Sequence, residues 1–208
     1  MYPSVLDRKR RGIIKRLHFL SVYGIYLAGG TGLALQLGHR TSLDFDFYTQ
    51  KQFDMHRMYR EFEENFNKIE MTYIDEGTLR MKIDSVEVAL FVYNYPLIRP
   101  VVSFEGIDIA SLEDISAMKV VAISQRGLKR DFIDIYFLMQ KFGLKRILEF
   151  AKEKYRSFNP YVAIQGLLYF EDAERDPPSD RYGMLRKVDW KEIKRFIIKE
   201  VDRCRREM

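Results

Sequence analysis

The chain has 208 residues, 47% of them hydrophobic, with Lys+Arg 35 against Asp+Glu 30 for a formal charge of +5. That much apolar material excludes a disordered tail or a small disulfide-stapled peptide, and the single cysteine, Cys204, excludes an internal disulfide or a cysteine zinc cage. No apolar run approaches the roughly 18 to 20 residues of a membrane span, and the basic start MYPSVLDRKRRGIIKRL lacks the core of a signal peptide.

These features predict a protein without a membrane anchor in a reducing, cytoplasmic setting, either one domain or a mixed domain with a small helical companion. A surplus of +5, with charge of both signs, leans only weakly towards a polyanionic partner.

Residues 5 to 22 place Leu6, Ile13, Ile14, Leu17 and Leu20 at near-helical spacing among Lys and Arg, which predicts an amphipathic helix ended by Gly24. Ile25 to Ala28 reads as a short buried strand. Gly29-Gly30-Thr31 turns into a second helix that Gly38 closes. From Leu43 to Thr49 the pattern alternates, with Leu43, Phe45 and Phe47 on one face and Asp44 and Asp46 on the other. A helix over 54 to 66 precedes extended segments at 69–75, 79–83, 86–93 and 101–109. Helices are then predicted over 112–124, 129–142, 144–155, 160–172 and 189–205, with a loop at 176–180. The expected architecture is α+β: a mixed half, 1–110, followed by a helical half, 111–208.

Two glycines at Gly29 and Gly30 let the backbone approach a ligand closely, and the helix that follows offers unpaired N–H groups and a positive dipole end to phosphate. Asp44 and Asp46 lie on one side of the next strand, the arrangement that holds Mg²⁺ between two carboxylates and a triphosphate. Either feature alone is commonplace, a turn or the wet face of an edge strand. In the order strand, GGT, helix, DFD strand, they bring a phosphate site and a metal site to one end of a sheet.

The stretch LAGGTGLALQLGHRTSLDFDFYT resembles the signature of the AbiEii/AbiGii toxin family within the nucleotidyltransferase superfamily, relatives of the polymerase β type enzymes. The similarity resumes at Ala117-Met118-Lys119, at RGLKRDFIDIY over 126–136 and at YFEDAE over 169–174. The resemblance implies a nucleotidyltransferase-type mixed sheet with flanking helices, and a helical half that completes the active-site cleft. It also implies Mg²⁺, a nucleoside triphosphate as donor, transfer of the monophosphate to an acceptor hydroxyl with release of pyrophosphate, an RNA acceptor such as tRNA, and a cognate antitoxin.

On that basis Asp44 and Asp46 are candidate metal ligands, and Gly29, Gly30, Thr31, Arg40 and Lys119 are candidates for the triphosphate. Asp131 is the matching functional acid. On residue chemistry alone, Lys119 is equally a snorkelling surface lysine, Asp131 equally a helix-stabilising acid, and Asp134 a partner for Arg130 four residues earlier. Arg126, Lys129 and Arg130 form a basic cluster opposing a helix dipole, the candidate acceptor-binding group. The superfamily commonly places a third carboxylate on a later strand, where this chain has Ala89. Glu87, two residues earlier on the same face, is the candidate replacement. His18, His39 and His56 are too scattered for a zinc site, and the tyrosines and phenylalanines offer base stacking although most fall at core spacing. The alternatives are a small-molecule or protein acceptor, or a nucleotide- or RNA-binding module that has lost turnover.

Overall fold

The computed structural model describes residues 1–176 and 182–207. A 3-10 turn, Pro3–Val5, leads to α1 (Arg8–Arg16) and α2 (Phe19–Val22) in place of one helix over 5–22. Asp7 starts α1 by accepting the Arg10 N–H at 2.8 Å, and the path kinks through Leu17 and His18 so that both Leu17 and Leu20 are buried. Then come β1 (Tyr26–Leu27), α3 (Gly29–Leu37), β2 (Phe45–Thr49), α4 (Met55–Asn65), β3 (Ile69–Asp75), β4 (Thr78–Ile83) and β5 (Val86–Val92).

The segment 101–109, expected as one extended piece, is a hairpin of β6 (Val102–Phe104) and β7 (Ile107–Ile109). Glu105 and Gly106 turn it with φ of 50° and 82°. The helices α5 (Leu112–Arg126), α6 (Lys129–Phe142), α7 (Leu144–Lys154), α8 (Pro160–Leu168), α9 (Glu171–Arg175) and α10 (Trp190–Glu207) complete the chain. The expected helix 160–172 breaks at Tyr169. Phe170 there turns inward, its ring centroid 5.0 Å from that of Phe132 and 6.1 Å from that of Trp190. Of the expected loop at 176–180, only Asp176 lies within the described residues.

The strands form one seven-stranded sheet in the order β3-β4-β5-β2-β1-β7-β6, parallel at β1/β7 and β2/β5 and antiparallel elsewhere. One face buries Leu27, Phe45, Phe47, Leu79, Met81, Val88, Leu90 and Ile109 against α1, α4 and part of α3. The period of two then sends Tyr26, Asp46 and Tyr48 to the opposite face, where α5 and the later helices pack. The polar residues of the site therefore lie between the sheet and the helical half. Among the described residues no helix is long and apolar enough to cross a membrane.

Candidate active site

The Gly29–Gly30 turn is built against Asp46. Gly29 has φ +61°, and a Cβ there would stand 2.9 Å from Asp46 Oδ2, so both the conformation and the space demand glycine. The Ala28 N–H donates to the Asp46 carbonyl at 3.0 Å, which fixes the turn to the carboxylate strand. A Cβ on Gly30 would stand 2.5 Å from Arg40 Nη2. Gly29, Gly30 and Thr31, whose N–H groups open α3 without helical partners, line the same cleft as Asp44 and Asp46.

Asp44 lies just before β2 rather than inside it. Carbonyls that would have extended the ladder are taken by side chains: Arg10 Nε donates to the Leu43 carbonyl at 2.7 Å, and the Thr31 hydroxyl donates to that of Asp44. Thr31 Oγ1 also shares a 2.7 Å hydrogen bond with Ser42 Oγ and is buried, so its hydroxyl braces the carboxylate loop against the glycine turn. Burial, and secondarily the Asp44 charge, raises the Asp46 carboxyl above its ordinary range, while Lys119, Arg126 and Arg130 pull the other way.

Behind the glycine turn lies a buried ionic network. Arg40 donates through Nε and Nη2 to the two oxygens of Asp134 at 2.7 and 2.9 Å, and His39 Nε2 reaches Asp134 Oδ1 at 2.8 Å. Lys119 Nζ lies 2.7 Å from Asp134 Oδ2 and 2.8 Å from Asp131 Oδ1, which leaves one of its three N–H donors for the cleft that it lines. Burial opposes the charge on Asp134, yet Arg40 and Lys119 outweigh it and hold the carboxyl well below its usual range. Lys119 is only 6% exposed. Burial is overcome there too, by Asp134 and Asp131, which raise the ammonium. Lys119 is thus a buried, doubly paired cation rather than a snorkelling one. Asp134, expected to pair with Arg130, is the hub of the network instead, because α6 turns it inward towards α3 and the loop that follows.

The expected basic cluster divides. Arg126 lines the cleft and reaches Asp131 through Nε at 3.3 Å; Arg130 lines it with no ion-pair partner among the described residues. Lys129 turns away, its Nζ 5.3 Å from the Trp190 ring centre and its N–H donated to Asp176 at 3.1 Å. Glu87 is not brought to the site either. The parallel register sets Ala89, not Glu87, opposite Asp46, and the Glu87 side chain is exposed beside Lys82 of β4, Nζ to Oε1 3.7 Å. Among the described residues no three His, Cys, Asp or Glu side chains are grouped to hold a metal. Among the described residues, then, the carboxylate pair stands without a third acid.

Sequence reasoning did not place two further features. Tyr48, Tyr93, Tyr95 and Tyr155 wall the other end of the cleft, and Tyr182 covers Arg40 with its ring centre 5.5 Å from Cζ. Tyr48 alone was legible, two residues beyond Asp46 on the same strand face. The strap carrying Tyr182 is pinned by the Thr41 N–H donating to the Gly183 carbonyl at 2.8 Å and by the Leu185 N–H donating to that of His39 at 2.9 Å. The whole cleft has a volume of about 660 Å³, which suits a nucleotide.

A mixed sheet with a glycine turn, a carboxylate pair on the neighbouring strand and a helical half over both is the frame of a nucleotidyltransferase. The family described as nucleotidyl transferase AbiEii toxin, type IV TA system, matches residues 19–203, and the chain belongs to it. The uncharacterized protein aq_aa25 of Aquifex aeolicus is 36% identical over 203 residues, covering 94% of this chain and 96% of that one. Solved structures share the fold at low identity. A putative nucleotidyltransferase from Helicobacter pylori has a TM-score of 0.65 at 16% identity, over 97% of each chain. MenT4, a nucleotidyltransferase toxin of Mycobacterium tuberculosis, has 0.61 at 16%, over 91% of this chain and 80% of its own.

Proposed function

We propose that this nucleotidyltransferase moves a nucleoside monophosphate from a triphosphate to a hydroxyl of RNA, with Mg²⁺ held by Asp44 and Asp46, as the toxin of a toxin–antitoxin pair. The observation that carries the reading is the contact of the Gly29–Gly30 turn with Asp46, which puts a phosphate cradle and a carboxylate pair in one cleft. The donor set fits the ion: two hard carboxylate oxygens with neither His nor Cys, open to phosphate oxygens and water. Bound there, Mg²⁺ would neutralise phosphate charge and orient the α-phosphate.

The chain's own residues do the remainder. The α3 amides and the free donor of Lys119 hold the β- and γ-phosphates. Arg126 and Arg130 face the acceptor strand. The acceptor oxygen bonds to the α-phosphorus, the bond to the bridging oxygen of the β-phosphate breaks, and pyrophosphate leaves with that electron pair. With Ala89 opposite Asp46, the hydroxyl proton passes to solvent water in place of a third carboxylate. Arg40 and Asp131 support the triphosphate site as members of the network beneath it. In this reading residues 1–110 supply the catalytic core and 111–208 close the cleft over it.

Ala89 favours one other reading, a nucleotide-binding module without turnover. Incubating the protein with RNA and each labelled triphosphate, with and without Mg²⁺, separates the two. Label appearing in RNA only with Mg²⁺ supports the transferase, whereas binding without label transfer supports the module.

A further inference from the structure

The cleft is chemically two-ended. Past Asp46 on β2, Tyr48 points to the same side about 7 Å further along the strand, and from it a run of rings continues. Ring centres are 5.4 Å apart for Tyr48 and Tyr93, 4.9 Å for Tyr93 and Tyr95, and 4.7 Å for Tyr95 and Tyr155. The phenols of Tyr93 and Tyr155 are hydrogen-bonded to each other, which locks two of the rings. Burial raises both hydroxyls, that of Tyr93 to about 12, so these rings stay neutral.

Beneath them, Lys154 ties the segment after Tyr95 to α5, its Nζ 2.8 Å from the Pro96 carbonyl and 2.7 Å from Asp114 Oδ1. These bonds hold the Tyr93 and Tyr155 rings and the backbone that follows Tyr95 in place. Tyr95 alone among these rings is largely open, 41% exposed, and its hydroxyl has no partner among the described residues. Asn159 lines the same cleft. Its Oδ1 is committed to the Tyr161 N–H at 2.9 Å, so its amide NH₂ is the group left for a ring acceptor.

We propose that the Tyr93–Tyr95–Tyr155 wall is a nucleobase subsite, with the open face of Tyr95 as the stacking platform and Asn159 at the base edge. The proposal rests on the nucleotidyltransfer reading above and names where a base is held within it. A neutral ring wall braced at Tyr93 and Tyr155 matches the flat π-face common to all bases, and an uncommitted amide donor in the same cleft matches the acceptors on a base edge. The ionic end is left to phosphates and the aromatic end to the base. That base belongs either to the donor triphosphate or to the last nucleotide of the acceptor, and the two arms of one experiment tell them apart.

Binding of each nucleoside triphosphate and of inorganic tripolyphosphate, both with Mg²⁺, is measured by calorimetry for wild type, Tyr95→Ala and Tyr95→Phe. In parallel, oligoribonucleotides ending in a normal or an abasic residue are titrated. For a donor base, Tyr95→Ala weakens nucleoside triphosphates by about ten-fold or more, tripolyphosphate is unchanged, and Tyr95→Phe restores binding. For an acceptor base, the same pattern appears in the oligonucleotide with the normal end and not in the abasic one. The subsite is overturned if Tyr95→Ala moves neither arm, if Tyr95→Phe is as weak as Tyr95→Ala, or if tripolyphosphate falls equally. A wild type that binds tripolyphosphate but gains nothing from any base removes the subsite alone. One that binds neither tripolyphosphate nor triphosphates removes the transferase reading with it.

Discussion

Arg40 and Asp134, 94 residues apart in sequence, meet through two hydrogen bonds of 2.7 and 2.9 Å directly beneath Gly30. The pair joins the loop between α3 and β2 to α6, and through Lys119 to α5, so the phosphate cradle and the helical half are held by one carboxylate.

Removing that carboxylate's charge leaves Arg40 and Lys119 buried with too little compensation. Asp134→Asn should therefore cost about 3 to 5 kcal/mol of stability by urea unfolding. A loss under about 1 kcal/mol would contradict the hub role.

The same network sets a pH dependence. His39 titrates near 6.5 when unfolded, and burial lowers it in the fold despite Asp134, so the unfolded chain takes up the proton first. Its contribution is complete above that pH and shrinks as pH falls below it. Asp134, held below its ordinary 3.8, contributes fully above that value and is lost only as pH falls through its depressed one. Urea midpoints measured from pH about 7 down to about 3 should fall in two stages, the first reduced in His39→Gln. A flat profile between about pH 7 and 5 would count against a neutral, buried His39.

The glycines differ sharply in what they tolerate. Gly29→Ala and Gly30→Ala should suppress nucleotide binding, the first by pushing on Asp46 at an unfavourable φ, the second by displacing an arginine already committed to Asp134. Gly12, inside α1 with nothing within 4 Å, should accept alanine with a gain of about 0.5 to 1 kcal/mol. Thermal melts and triphosphate titrations of the three variants check this.

Arg126 and Arg130 face the cleft while Lys129 does not. Replacing both arginines with alanine should flatten the salt dependence of RNA binding by about 1.4 in the log–log slope, while Lys129→Ala changes it little. RNA affinities at several salt concentrations decide the point, and an unchanged slope in the folded double variant would remove RNA from these arginines. Glu87→Gln, by the same spatial logic, should leave transfer near the wild-type rate.

Much of the site's frame was legible locally. The switch from helical to alternating spacing located Asp44 and Asp46, and paired glycines after a short strand located the turn. What escaped depends on contacts distant in sequence. Asp134 is one helical turn from Asp131 and has the same residue type, so only the packing of α6 on the His39–Arg40 loop separates the hub from its neighbour. Nothing local turns Lys129 towards Trp190, 61 positions later, or gathers Tyr93 and Tyr155 into one wall. The break at Tyr169 carries no Gly or Pro, and it accompanies the packing of a half-buried Phe170 against two distant rings.

The most direct measurement is Mg²⁺-dependent release of pyrophosphate coupled to label transfer into RNA, for wild type and for Asp46→Asn, which preserves size on a strand whose core face is untouched. The wild type should transfer, and the variant should stay folded yet lose transfer by orders of magnitude. A folded Asp46→Asn that transfers at the wild-type rate would contradict the assignment of this carboxylate pair as the catalytic centre.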